Sequence, residues 1–172
     1  IEGVVRNVAL SAFERSISLK HAGRRLIAVL PAEGPERQLA RVVSILGRAF
    51  GATAGRIDAE AEDTRGLPMR LTGWVQPAEH GLSHATAQHA FVNGRPIRDP
   101  VIRHALGVAY EGLIEPGFHA GYVLYLEVAP TQVDVNVHPA KREVRFRDAR
   151  SVHDFVLSTV RRVLSGDAMP EV

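Results

Sequence analysis

Residues 88–129 read QHAFVNGRPIRDPVIRHALGVAYEGLIEPGFHAGYVLYLEVA, and their rhythm decides the fold. Gln88–Asn93 has the composition of a short strand, closed by the turn dipeptide Asn93-Gly94. Asp99 and Pro100 then open a helix, with Asp99 as N-cap and Pro100 at the first helical position. Ile102, Ala105, Leu106, Ala109 and Leu113 recur at helical spacing and mark its buried face, and Glu115-Pro116-Gly117 ends it. Gly121–Ala129 is the most apolar stretch of the chain, which predicts a strand covered on both faces and central in a sheet. Strand, helix and strand in this order predict a βαβ unit.

Upstream, the apolar spacing of Ile1, Val4, Val5, Val8 and Ala12 predicts a short helix over 1–13. Ser16–His21 and Arg25–Leu30 read as a hairpin around Ala22-Gly23-Arg24, where glycine supplies positive φ. Pro35–Phe50 reads as one amphipathic helix. Its stripe is Leu39, Val42, Val43, Leu46 and Phe50, with Glu36, Arg37, Arg41 and Arg48 off that stripe. Arg56–Ala61 and Met69–Gln76 are strands joined by the polar turn Glu62–Pro68, and Pro77–Thr86 has no period. Downstream, Val133–Val137 and Glu143–Phe146 are short strands. Ser151, with Asp154 three residues on, is the expected cap of a last helix whose stripe is Val152, Phe155, Val156, Thr159, Val160, Val163 and Leu164. The elements sum to an α/β (α+β) two-layer sandwich, a mixed sheet with helices packed on it.

The 172 residues are 45% apolar and 23% charged, the composition of a globular chain that is large enough to bury a core. All but Lys20 and Lys141 of the 21 basic residues are arginine, and the net charge is +2. Arginine suits phosphate recognition through its planar fork. The absence of cysteine excludes disulfides, thiolate metal sites and cysteine nucleophiles. Without a long apolar run or a basic-then-apolar leader, the chain reads as cytoplasmic. It opens on Ile1-Glu2-Gly3-Val4 rather than on Met, as a piece of a longer protein would. No Walker or dinucleotide glycine loop and no Gly-x-Ser-x-Gly elbow occurs. The histidines are scattered, so no metal site is expected. Gln88-His89-Ala90 lacks both the aspartate before it and the paired glutamates after it that a metal-dependent nuclease run would carry. A hydrolase built on Asp134 and His138 lacks a nearby nucleophile.

The segment Asp134-Val135-Asn136-Val137-His138-Pro139-Ala140-Lys141-Arg142-Glu143-Val144-Arg145-Phe146 is the richest in chemistry. Asp134 and Asn136 share the strand face opposite the valines and are able to bond local backbone. Pro139 disfavours a helical His138 and fixes the exit path. The next charge, Lys141, is a compact cation with three donors, suited to a terminal phosphate. A solvated lysine and a packing histidine are the plainer alternatives.

This segment, with Phe91-Val92-Asn93-Gly94-Arg95 and Arg98-Asp99 before it, resembles the signature of the MutL family of DNA mismatch repair proteins. Ile17–Arg24 and Leu71-Thr72-Gly73-Trp74-Val75 are similar to the same stretches of that family, so the resemblance covers nearly the whole chain. It implies an N-terminal ATPase region in two subdomains. The first binds ATP and Mg2+; the second, the transducer, has a ribosomal-protein-like fold with a left-handed βαβ crossover, although general sterics favour the right-handed form.

By this resemblance the chain is the second subdomain alone. It would span 1–165, begin with the linking helix 1–13, and end in a frayed tail, 166–172. It would not hydrolyse ATP by itself, because ATP and Mg2+ are bound mainly by the missing subdomain of the parent ATPase. The resemblance gives Lys141 the γ-phosphate contact and gives Asp134, Asn136, His138 and Pro139 the shaping of its loop. Arg95, Arg98 and Arg142 are candidates for DNA contact. It implies as partners DNA, a second MutL copy, the mismatch-recognition protein MutS and a downstream nuclease or helicase. A freestanding nucleic-acid-binding module of similar fold is the alternative. The lack of an aromatic cluster speaks against a stacking surface for single strands.

Overall fold

Ala22 and Gly23 both take positive φ, 47° and 77°, the left-handed pair whose twist matches that of antiparallel strands. They join β1 (Ile17–His21) to β2 (Arg24–Val29), as the sequence predicts. The structure is a computed structural model that describes residues 1–77, 87–135 and 144–166. These fall into two units, Ile1–Thr53 and Ala54–Val172.

The first unit adds α1 (Glu2–Ser11), α2 (Gly34–Leu46) and α3 (Arg48–Gly51) to the hairpin. Ala9, Ile27 and Val29 are its buried centre, with Val5, Ile17, Leu19 and Ile45 packed around them. The single helix expected over Pro35–Phe50 is broken. Gly47 takes φ 101°, a conformation that residues bearing a Cβ rarely adopt, and the chain restarts as α3 with Phe50 fully buried. Arg41 departs further from expectation. It is buried, and its guanidinium donates to the carbonyl oxygens of Ala9, Ala12, Phe13, Arg15 and Leu30 at 2.7–3.3 Å. Ala9 lies in the last turn of α1, where carbonyls have no helical partner, so Arg41 caps that helix from outside.

The second unit is a five-stranded sheet in the order β3-β4-β7-β5-β6. The strands are β3 (Gly55–Glu62), β4 (Pro68–Val75), β5 (Gln88–Val92), β6 (Arg95–Ile97) and β7 (Tyr122–Val128). All neighbours are antiparallel except β5 and β7, which are parallel and joined through α4 (Pro100–Tyr110). The most apolar stretch is the central strand, as expected. Strand β6 is an addition to the expected elements, since Pro96 lies within it. An edge strand tolerates a proline because one row of its N–H groups has no partner to satisfy.

Alternation assigns the faces. Met69, Leu71, Val75, Leu124, Leu126 and Val128 join α4 and α5 (Ala149–Leu164) in one core. Trp74, Phe91 and Tyr125 lie on the opposite face. There Phe91 stacks on Tyr125 at 5.2 Å and Trp74 meets Tyr125 edge-on. Gly73 takes φ 129° where β4 runs against β7, and a Cβ there would lie 2.0 Å from the Val123 carbonyl oxygen.

Two helix limits also differ. Helix α4 stops at Tyr110, so Leu113 is exposed in the following turn instead of lining a buried face. Helix α5 is capped by Asp148, which accepts from Ser151 N, and not by Ser151. Asp154 lies beside His153 and Arg150 and takes no part in a cap. No helix among the described residues is long and apolar enough to cross a membrane.

Candidate functional site

The motif segment leaves the sheet at the end of β7. Pro130–Gln132 form one 3₁₀ turn, after which β8 (Val133–Asp134) pairs with β9 (Arg145–Phe146) in two antiparallel rungs, Val133 opposite Phe146 and Asp134 opposite Arg145. Val144 and Phe146 are buried, while Asp134 and Arg145 are exposed. Alternation thus sends the apolar side of this ribbon into the core and its charged side outward. Asn136, His138, Pro139, Lys141 and Arg142 lie outside the described residues.

The root of the ribbon rests on the β3–β4 turn. Asp63 is buried and accepts from the N–H groups of Arg65 and Leu67, from the Arg65 guanidinium and from the Gln132 amide. Burial pushes this carboxyl up, but these donors together outweigh it and hold it at about 2. Asp148 follows β9. The Thr64 hydroxyl, the Ser151 N–H and hydroxyl, and the Thr64 N–H hold its carboxyl far below the usual carboxylate range. Both carboxylates are therefore charged at neutral pH and able to act as fixed acceptors. The turn at Asp63-Thr64-Arg65-Gly66 has a legible signal, since aspartate commonly bonds the backbone two residues on. Gln132 and the Thr64–Asp148 contact have no local signal.

The second cluster of sequence candidates sits at the β5–β6 turn. Asn93 and Gly94 take φ 48° and 77°, which again fits a tight hairpin. The Asn93 side chain reaches β7: its amide donates to Val128 O and its carbonyl accepts from Val128 N, each at 3.0 Å. With Asn93 N donating to Leu126 O, the side chain acts as an extra rung of the parallel ladder. Replacing Asn93 with alanine is expected to cost about 2 kcal/mol, because two hydrogen bonds disappear and alanine resists a left-handed backbone. Replacing it with glycine, which accepts that backbone, isolates the rung and is expected to cost about 1 kcal/mol. Urea denaturation measures both, and an Asn93→Gly variant as stable as its parent removes the rung from the account.

Arg95 and Arg98 follow this turn, and both are exposed. Arg98 and Arg103 border a hollow of about 290 Å³ with Gln88, Asp99, Ile102 and Tyr122. Asp99 caps α4 by accepting from Val101 and Ile102 N–H, as the sequence predicts. Among the described residues, no group of three histidine, aspartate or glutamate side chains is placed to hold a metal ion.

Comparison with known proteins places this geometry. Residues 42–165 match the family described as DNA mismatch repair protein, C-terminal domain. The chain is 44% identical over 165 residues to the DNA mismatch repair protein MutL of Cellvibrio japonicus, and 42% identical over 171 residues to that of Azotobacter vinelandii. These matches cover 96% and 99% of the chain but 26% of each relative, so the chain spans about a quarter of their length. Among solved structures, the N-terminal domain of a DNA repair protein aligns with a TM-score of 0.78 at 18% identity, over 95% of this chain and 52% of that one. The Aquifex aeolicus MutL ATPase domain complexed with ADP aligns with a TM-score of 0.52 at 17% identity, over 99% of this chain and 48% of that one. At these identities the solved structures speak for the fold, while the family match and the relatives speak for descent. The chain belongs to the MutL family of DNA mismatch repair proteins.

Proposed function

We propose that this chain is the transducer part of a MutL-type ATPase, which supplies the γ-phosphate-sensing Lys141 to a nucleotide held mainly by another part of the protein. The observation that carries this reading is the Asp134–Phe146 run within a chain that is 44% identical to a MutL protein. The described ends of that run support it, since β8 and β9 bring the segment out of the sheet on a held root. ATP supplies the γ-phosphate, and Mg2+ would be bound with it by the other part. A lysine that contacts only the last phosphate distinguishes ATP from ADP, and its release on hydrolysis gives the protein a two-state signal.

The exposed Arg95 and Arg98, with Arg142, are the proposed DNA contacts of a groove that closes as two copies dimerise on ATP. By the same reading the full-length protein is cytoplasmic and works with a mismatch-recognition protein, MutS, and a downstream nuclease or helicase.

The test uses full-length protein. Lys141→Ala is expected to lower ATP turnover and ATP-dependent dimer closure about tenfold or more, with the affinity for ADP and the melting temperature little changed. Unchanged turnover and closure in that variant, or ATP hydrolysis by residues 1–172 alone, refutes the proposal. DNA affinity of Arg95→Ala and Arg98→Ala is expected to fall, with a slope against log salt shallower by about one for each DNA phosphate that the variant no longer neutralises.

A further inference from the structure

We propose that Gln132, with Asp63 and the Thr64–Asp148 pair, forms a set of positioning residues that fixes both ends of the segment carrying Lys141. This inference rests on the proposed role of that lysine. It names residues outside the motif that set where the cation stands.

Among the described residues β8 and β9 share two antiparallel rungs, and a two-stranded ribbon by itself is only marginally stable. A held root gives such a ribbon a direction, and the structure shows four side chains converging there. Gln132, which is 4% exposed, holds the incoming end: its side-chain oxygen accepts from Ala129 N at 2.6 Å, and its amide donates to Asp63 and to Leu67 O at 3.2 and 3.3 Å. Its backbone oxygen accepts from Arg147 N at 2.9 Å, so the same residue also grips the outgoing end. One residue later Asp148 accepts from the N–H and hydroxyl of Thr64 while capping α5.

Both ends are therefore tied to one short turn, Asp63–Leu67. That turn is itself braced by Asp63 accepting from Arg65 N and Leu67 N. Buried polar groups satisfied in this way specify a single arrangement, because each alternative leaves a buried donor or acceptor unmatched. Aligned cations lose much of their effect on displacement by about an ångström, so a root shifted by that distance is felt at the phosphate.

The experiment uses full-length protein and two variants. Gln132→Met keeps the length of the side chain and removes its amide. Thr64→Val removes one exposed hydroxyl and leaves the Ser151 contacts of Asp148 in place. Steady-state ATP hydrolysis at saturating ATP, and the dissociation constant for ADP, are measured for each variant alone and combined with Lys141→Ala.

Positioning predicts that each variant lowers kcat about fivefold toward the Lys141→Ala value and leaves ADP affinity within about twofold. It also predicts that each adds less than about twofold on the Lys141→Ala background, because the lysine is then no longer there to misplace. Unchanged kcat in both variants, or losses that multiply with that of Lys141→Ala, overturns the proposal while leaving the lysine's own role standing. If Lys141→Ala by itself leaves kcat unchanged, the underlying reading falls and takes this one with it. Should Gln132→Met fail to fold, Thr64→Val decides the matter alone.

Discussion

Replacing Arg41 with methionine is expected to destabilise the first unit by about 4 kcal/mol, a loss at the upper end of what single substitutions produce. Methionine fills much of the same volume, so the loss is not one of packing. The guanidinium is the shared donor for five carbonyl oxygens drawn from α1, the segment after it and Leu30 just past β2. Removing it takes this donor from the Ala9, Arg15 and Leu30 carbonyls in a buried or part-buried setting, while Ala12 O and Phe13 O keep the N–H groups of Arg15 and Ala32, and each unmatched group costs about 1–3 kcal/mol. Arg41→Lys keeps the charge but offers three donors on a tetrahedral head, and it is expected to recover about half of the stability. Hydrogen exchange of the α1 and β2 amides, followed alongside urea denaturation, reads the effect where it occurs. A loss below about 1 kcal/mol for Arg41→Met would show that water replaces the guanidinium at little cost.

Gly73→Ala is expected to cost about 3 kcal/mol and to weaken the sheet at its centre. The added methyl would lie 2.0 Å from Val123 O and 3.1 Å from Leu124 Cα, both backbone atoms of the neighbouring strand. A flexible side chain would swing aside, but here relief requires parting β4 from β7. The φ of 129° adds a conformational penalty for any residue that carries a Cβ. Thermal denaturation compared with Thr72→Ala, one residue away, separates this effect from an ordinary strand substitution. Equal melting temperatures for the two variants would mean that the strands yield more readily than the close approach implies.

What the sequence makes legible are features imposed by local chemistry. Ala22-Gly23 and Asn93-Gly94 announce positive φ, and the structure places turns at both. Asp99-Pro100 announces a helix start because cap and fixed φ act within three residues, and Gly121–Ala129 announces a central strand because it is apolar on both faces. What escapes are features whose cause lies far along the chain. Arg41 sits off the apolar stripe of α2 and reads as solvated, and only the carbonyls gathered by folding make its burial favourable. Asp148 and Ser151 are both good caps three residues apart. The choice falls on Asp148, where Thr64, 84 residues away, adds its hydroxyl. The break at Gly47 is hidden because the apolar spacing continues past it, although the backbone there does not remain helical. At the site, Lys141 is visible as part of a motif, whereas Gln132 carries no signal, since its partners Asp63 and Leu67 come from another hairpin.

The strand that unites the sheet is also the last of its five to be synthesised. Strand β7 separates the β3–β4 hairpin from the β5–β6 hairpin, and it begins at Tyr122. As the polypeptide emerges from the ribosome, the edge of each hairpin that β7 later covers stays open, and on β4 that edge includes Leu71, Trp74 and Val75. Open apolar edges invite pairing with whatever strand arrives first. The nascent chain is thus most exposed to mispairing between the appearance of Val75 and that of Val128, an interval set by topology alone.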